Sequence, residues 1–308
     1  MATSEAALGA SGDLLSTAEG NALSAALLRE TVSKLTVRAV LIKGLPLRSH
    51  GLRAGHNSAD VDLMVEPGSS DEVIRSLASL GWTVRPSTTP GERISLHSVT
   101  LCHQAWPNDI DLHHDFPGLL AGPERAFEVL WEHREQMLVA GFPCWMPDRA
   151  SSIVIWALHS LRGTHTQPRH AIELAQLVND VLPKLSEAER RELADRIVEL
   201  GADEPLRVVP EFAEIIGDRR GPQAPGALEA WLGKVAQAHE VTPWLQVLRE
   251  ARPAERPGLV LRAIWPSAHD LRLTDEFLVD TPLGRVQSRG RRAWRLVRRY
   301  VERSRQTH

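Results

Sequence analysis

Apolar positions in the first half of the chain follow strand and helix patterns in turn. Residues 37–42 and 61–65 are short apolar runs, which predict buried strands. Residues 71–80 place apolar side chains at helical spacing, and Gly81 follows as a helix-ending glycine. Three further strands are predicted at residues 82–85, 93–101 and 109–113.

Helical patterns dominate the rest of the chain. Residues 13–35 and 124–134 predict helices, and residues 135–146 predict a strand pair that turns at Gly141. Further helices are predicted at residues 148–162, 170–181, 186–200, 227–239 and 244–251, the third of them opened by a capping box. The pattern predicts an α+β fold in three parts: an N-terminal helical segment (1–35), a strand-containing domain (36–146) and a helical domain (147–308) with a basic C-terminal helix.

Acidic residues stand on two of the predicted strands. Asp60 and Asp62 are spaced by two, so their side chains point to the same face of the strand. Two carboxylates held that close repel each other unless a cation lies between them, and a divalent metal bound to nucleotide phosphates is the usual reason for such a pair. Asp111 is the preferred third acid because apolar residues flank it as they flank Asp62, while Asp109 lies on the same strand face and competes for that role.

Lys43 and Gly44 follow the first predicted strand, where they are expected to form a phosphate-holding loop. Lys43 is the only lysine between residues 35 and 183, in a chain that otherwise favours arginine. A compact ammonium group suits a triphosphate tail approached by a narrow loop. The alternative is a surface lysine near a strand end.

Composition narrows the class of protein. The 43% hydrophobic and 24% charged residues are typical of a globular protein, and the net charge of −3 gives no general preference for nucleic acid or membrane. The two cysteines argue against a disulfide framework and favour a reducing, cytoplasmic location. No signal-like segment and no apolar run long enough to span a membrane is found, so neither secretion nor membrane insertion is expected.

These motifs together resemble the nucleotidyltransferase superfamily that includes DNA polymerase beta. The chain is similar, more closely, to an uncharacterised bacterial branch of that superfamily with a Leu-Lys-Gly opening. The resemblance is carried by the segments at residues 41–44, 58–65, 81–82 and 111–113, and extends more loosely over most of the chain. It implies a small mixed sheet with helices, followed by a mainly helical domain.

The resemblance also implies an enzyme that transfers a nucleoside monophosphate from a nucleoside triphosphate, with ATP the default, to a hydroxyl or similar acceptor, releasing pyrophosphate. Asp60, Asp62 and Asp111 would be the catalytic and metal-binding residues, holding Mg²⁺ or Mn²⁺. Lys43, Gly44 and Ser58 would bind the nucleotide phosphates. A small molecule or a modified peptide is the favoured acceptor, and a toxin-like activity on RNA or protein is the alternative.

One departure from the family pattern bears on function. His56 stands where relatives typically carry an arginine, and Arg48 or Arg53 are candidates for the missing positive charge. Because of His56, a catalytically degenerate module that binds or senses nucleotide is a third interpretation.

Other polar groups receive structural interpretations. His113 is expected to shape the pocket wall, with a supporting partner of the metal ligands or a proton acceptor as the alternatives. His159 is expected to be a satisfied core histidine. The arginine-rich segment 285–305 has an apolar stripe, so it fits either a docked helix or contact with nucleic acid or anionic lipid. Nucleic acid is not the favoured partner.

Overall fold

The computed structural model describes residues 15–53, 58–86, 97–163, 168–235, 247–248, 251–267, 270–271 and 281–291. His56, the start of the strand predicted at 93–101, most of the helix predicted at 244–251 and the end of the arginine-rich segment lie outside these residues. Among the described helices, none is long and apolar enough to cross a membrane.

A small mixed sheet forms the centre of the first half. Its strands are β1 (Ala39–Ile42), β2 (Asp60–Val65), β3 (Thr83–Val84), β4 (Ser98–Cys102) and β5 (Asp109–His113), arranged in the order β1-β2-β5-β4-β3. The β2–β5 pair is parallel, and the β1–β2, β4–β5 and β3–β4 pairs are antiparallel. With helices on both sides of this sheet, the chain has the α+β fold that its sequence predicts.

Helices and a hairpin surround the sheet. In chain order the first helices are α1 (Thr17–Leu35), α2 (Gly44–Ser49), α3 (Ser70–Ala78) and α4 (Pro123–Glu132), and the hairpin is β6 (Arg134–Val139) with β7 (Phe142–Pro147). The hairpin turns at Gly141, as predicted, with φ of +81° at that residue. The helix α2 was not predicted, because its six residues are too few to display a helical period.

The remaining described elements are helical. They are α5 (Arg149–Gly163), α6 (Pro168–Gln176), a π-helical turn (Leu177–Val181), a 3₁₀ turn (Leu182–Lys184), α7 (Glu187–Glu199), α8 (Asp203–Leu206), α9 (Pro210–Ile216), α10 (Ala227–Val235) and α11 (Arg256–Ile264). The predicted capping box is present at Ser186 and Glu189. Pro205 and Pro210 lie within the short helices α8 and α9, which is possible because the first turn of a helix needs no N–H from proline.

Side chains alternate between the two faces of the sheet, so the apolar ones contribute to two separate cores. On one face, Leu41, Leu63 and Leu112 pack with residues of α1 and α3. On the opposite face, Val40, Ile42 and Met64 pack with α4, α5 and the helices that follow. Asp60 and Asp62 are in phase with Met64, so they lie on the sheet face that α5 covers. The division into domains at residues 35 and 147 remains a prediction, since the second core is shared between the sheet and the later helices.

Candidate active site

Parallel pairing of β2 with β5 aligns the predicted acids in two rows. Asp60 is the register partner of Asp109, and Asp62 is the register partner of Asp111. Register partners in a sheet point to the same face, so the four carboxylates share one side of the sheet. The structure therefore places Asp111 beside Asp62, as its apolar neighbours in the sequence suggested.

Asp62 is the buried centre of this group. One of its oxygens, Oδ1, bonds to the Lys43 ammonium and lies 2.9 Å from Nε2 of His113. Burial would raise the pKa of Asp62, but Lys43 and His113 outweigh it and hold the pKa well below its usual range. Asp62 is therefore a carboxylate.

Asp60 has a different environment two residues away. Its carboxylate accepts a hydrogen bond from the Ser58 hydroxyl. Burial, reinforced by the charge of Asp62, raises the pKa of Asp60. The pair therefore contains one neutralised carboxylate and one whose charge is poorly compensated.

The two candidates for the third acid differ in their partners. Asp111 accepts a hydrogen bond of 2.5 Å from the Thr100 hydroxyl on β4. Asp109 lies at the strand end, where Nη2 of Arg85 contacts both of its oxygens at 2.5 Å. An arginine thus already neutralises Asp109, whereas Asp111 faces Asp62.

Lys43 and Gly44 lie at a sharp strand-to-helix junction rather than in an open loop. Lys43 has φ of +58°, which is uncommon for a residue with a side chain. The backbone here is strained and is held in place by the surrounding structure. A Cβ added at Gly44 would lie 3.3 Å from Cβ of Ser58, so the glycine permits a close approach of these two segments. Asn21 on α1 donates a 2.7 Å hydrogen bond to the Ser58 carbonyl oxygen and fixes that segment. The three predicted phosphate-binding residues are therefore neighbours.

A cavity of about 610 Å³ opens over these residues. The sheet side contributes the acids Asp60 and Asp62 together with Lys43, Gly44 and Ser58. The opposite wall includes Arg53, one of the two candidates for the missing positive charge, and three side chains that the sequence did not single out for the site: Trp156, Arg169 and Glu173, with His159 beside them. His159, expected to be a core histidine, is instead a half-buried residue of this wall.

Arg53 lines the cavity and is paired with an acid there. Its Nη2 lies 2.5 Å from Oε1 of Glu173, and both side chains are largely buried. Arg48 lines a separate small hollow behind Gly44. Of the two arginines considered for the missing charge near His56, Arg53 is therefore the one on the cavity wall.

A cluster of basic groups stands behind His113. The His97 ring lies 5.6 Å from the His113 ring, and its nitrogens are approached by Nη1 of Arg162 at 2.9 Å and Nζ of Lys234 at 3.4 Å. Burial lowers the pKa of His97 well below its usual range, and the two neighbouring cations lower it further. Burial and the Lys43 charge also lower the pKa of His113. These imidazoles are therefore neutral near pH 7.

The donor set of the sheet face fits a divalent cation. Oxygens of Asp62 and Asp111 and a ring nitrogen of His113 lie within 4.8 Å of one another, and ligands on opposite sides of one ion are at most roughly 4–5 Å apart. Asp60 stands outside this group of three but adjoins it on β2. The pKa of Asp60 is raised, so its negative charge is not fully compensated, and the Lys43 ammonium is already paired with Asp62. A further positive charge bound here would therefore stabilise the Asp60 carboxylate. Carboxylate oxygens of this kind are the ligands that Mg²⁺ and Mn²⁺ prefer.

Comparisons with known proteins give distant structural likenesses. No family model matches the chain, and no curated protein matches it. The chain is similar to the antibiotic-resistance factor ANT(2'')-Ia, with 12% identity over 65% of this chain and 98% of that chain and a TM-score of 0.40. It is also similar to an antigenic nucleotidyltransferase-like protein from Paracoccidioides brasiliensis, with 10% identity over 70% of this chain and 99% of that chain and a TM-score of 0.38. At these scores the likenesses carry no functional argument.

Proposed function

We propose that the protein is a metal-dependent nucleotidyltransferase that transfers a nucleoside monophosphate from a nucleoside triphosphate to a hydroxyl or similar acceptor. The observation that carries this proposal is the register of β2 with β5, which brings Asp62 and Asp111 together opposite Lys43. Paired carboxylates next to a cationic, strained strand-to-helix junction suit metal-assisted binding of a triphosphate.

Asp60, Asp62 and Asp111 would hold one or two Mg²⁺ or Mn²⁺ ions, which when bound neutralise charge on the triphosphate. Lys43, the backbone at Gly44 and the Ser58 hydroxyl would bind phosphate oxygens. For this, the Lys43 ammonium would have to leave Asp62, with which it is now paired, and turn to the phosphate tail. Arg53 and Arg169, on the facing wall, are further cations that the phosphates could meet.

Asp111 would also accept the proton of the acceptor hydroxyl. The acceptor oxygen forms a bond to the α-phosphorus in line with the bond that breaks, and pyrophosphate leaves. Most of the catalytic effect would come from positioning and from neutralising charge. The cavity of about 610 Å³ is of the size that holds small ligands, which supports a small molecule or a modified peptide as the acceptor.

The test is to incubate the purified protein with each labelled nucleoside triphosphate, Mg²⁺ and a panel of small hydroxyl acceptors, and to measure pyrophosphate release. We expect Asp111→Asn to reduce release by at least about 10²-fold, the loss typical of a positioned general base, with little change in nucleotide affinity. Asp109→Asn is the matched control on the same strand face, and it should cost far less because Arg85 already neutralises Asp109.

Two outcomes would count against the proposal. Mg²⁺-dependent nucleotide binding without release of pyrophosphate on any acceptor would indicate a nucleotide sensor. A larger loss for Asp109→Asn than for Asp111→Asn would move the catalytic role two residues along the strand.

A further inference from the structure

A second cluster of metal-ligating side chains lies on the opposite wall of the cavity. His159 comes from the end of α5, and His170 and Glu173 come from α6, one helical turn apart. One ligand atom from each of the three lies within 4.8 Å of the others, and the two imidazole rings are 4.7 Å apart. None of these residues belongs to the acidic group on the sheet.

Three polar atoms of this cluster are buried and have no hydrogen-bond partner among the described residues. His170 is 5% exposed and Glu173 is 7% exposed. Within the described residues, three of their atoms have no hydrogen-bond partner: both ring nitrogens of His170 and Oε2 of Glu173. A buried polar atom left unpaired destabilises the fold, so three of them at one place indicate a ligand.

The other oxygen of Glu173 is already held. Arg53 donates to Oε1 at 2.5 Å, which fixes the carboxylate and leaves Oε2 to the histidines. Ligating carboxylates in metal sites are commonly oriented by such a hydrogen bond to the oxygen that does not bind the ion.

We infer that His159, His170 and Glu173 form a binding site for a transition-metal ion of the Zn²⁺ class. Two imidazoles and one carboxylate are a known ligand set for Zn²⁺, and imidazole nitrogen is a poor ligand for Mg²⁺. With three protein ligands, a fourth coordination position remains for water or a ligand in the cavity that His159 lines.

The protonation and charge of the surroundings bear on which ion fits. Burial lowers the pKa of His159 and of His170, so both rings are in the neutral form that binds metal. Arg162 contacts His159 Nδ1 only at the long distance of 3.5 Å, which does not fix the tautomer of that ring. Positive charge nearby comes from Lys43, Arg53, Arg162 and Arg169. This charge disfavours metal ions that are held by electrostatic attraction alone, and it therefore favours ions that bind imidazole nitrogen strongly.

Metal binding by the full chain, without nucleotide, tests this inference independently of nucleotide transfer. The protein is freed of metal by chelator dialysis and titrated with Co²⁺ in excess Mg²⁺, which competes for the acidic group on the sheet. We expect one equivalent of Co²⁺ with the visible absorption of a nitrogen-ligated ion, displaced by Zn²⁺, and a rise in melting temperature on binding.

Variants locate the ion. His170→Gln and Glu173→Gln should each weaken Co²⁺ binding by more than about tenfold, since even loss of a supporting group commonly costs 10–100-fold. His133→Gln, a histidine that pairs with Glu199 away from the cavity, and Asp111→Asn should retain it. Circular dichroism verifies that each variant is folded, and if His170→Gln fails to fold, the wild type and Asp111→Asn decide the question.

The inference is wrong if the wild type binds no Co²⁺ in excess Mg²⁺, or if folded His170→Gln and Glu173→Gln bind it as the wild type does. Loss of the Co²⁺ spectrum in Asp111→Asn would also overturn it, because the ion would then lie at the acidic group.

Discussion

Two aspartates of the same strand differ in what surrounds them. The Asp62 carboxylate is 2% exposed and bonds to the Lys43 ammonium, which is itself 12% exposed. Removing one partner of a buried ion pair leaves the other charge uncompensated, which commonly costs about 3–5 kcal/mol. Asp60, in contrast, carries a charge that burial and Asp62 disfavour, as its raised pKa indicates.

Substitution of these two residues by asparagine should therefore affect stability in opposite directions when no metal is present. We expect Asp62→Asn to lower the free energy of unfolding by about 3 kcal/mol, because it leaves the buried Lys43 ammonium without its ion-pair partner. Asp60→Asn should leave it unchanged or slightly higher, since the amide oxygen can still accept from Ser58 and the repulsion between carboxylates is gone. Urea unfolding in the presence of a chelator measures both, and equal destabilisation by the two variants would contradict this description of the ion pair.

Elements of this fold meet at close junctions that require glycine for different reasons. At Gly201, after α7, φ is +65°, and an added Cβ would lie 2.3 Å from the Pro222 carbonyl oxygen and 2.6 Å from the Ala121 nitrogen. At Gly141, in the β6–β7 turn, φ is +81° but an added Cβ would meet no atom within 4 Å. The two glycines share a left-handed backbone and differ in packing.

The Gly201→Ala and Gly141→Ala variants separate these two requirements. A left-handed backbone costs a residue with a side chain roughly 1–2 kcal/mol, which we expect for Gly141→Ala. Gly201→Ala should cost about 1–3 kcal/mol more, because the methyl group has to displace backbone atoms of two other segments. Denaturant unfolding of both variants gives the difference directly. Similar losses in the two would show that the chain near Gly201 can relax without cost.

The elements that carry the acids could be predicted from sequence because the residue pattern that defines each strand lies within a few consecutive residues. Alternation on β2 and β5 is visible in a few residues, and the apolar neighbours of Asp111 correctly indicated that it lies beside Asp62.

The facing wall of the cavity could not be predicted in the same way. Arg53 and Glu173 are 120 residues apart in sequence, and their contact depends on how α6 packs against α5. The burial of His159 and His170 likewise follows from tertiary packing, which no short-range period encodes. The strained backbone of Lys43 also could not be predicted from the residue type, since a positive φ is expected of glycine rather than of lysine.

Among the described residues, the histidines with a lowered pKa lie between the sheet and the later helices. Burial is the main cause of the lowered pKa at His97, His113, His159 and His170. Below pH of about 6.5 an unfolded chain binds protons that these native imidazoles do not, so the free energy of unfolding rises with pH there. The stability is fully present above that pH and is lost as the pH falls.

His97 offers the clearest measurement of this dependence, because Arg162, Lys234 and His113 all surround it. We expect the urea midpoint of the wild type to fall between about pH 6.5 and about pH 5, the range just below the ordinary histidine value. His97→Gln should reduce the slope by up to about 1.4 kcal/mol per pH unit, the contribution of one proton. An identical slope in the variant would mean that His97 is protonated in the native state.

The central claim is that Asp60, Asp62 and Asp111 hold the metal that binds a nucleoside triphosphate beside Lys43. The most direct measurement is a crystal structure of the protein with Mn²⁺ and a non-hydrolysable nucleoside triphosphate, with the ion located by its anomalous scattering. We predict an anomalous peak in contact with Asp60, Asp62 and Asp111, with Lys43 moved from Asp62 to the phosphate tail. Phosphates bound at Lys43 with no Mn²⁺ at the three aspartates, or nucleotide bound elsewhere on the protein, would contradict the claim.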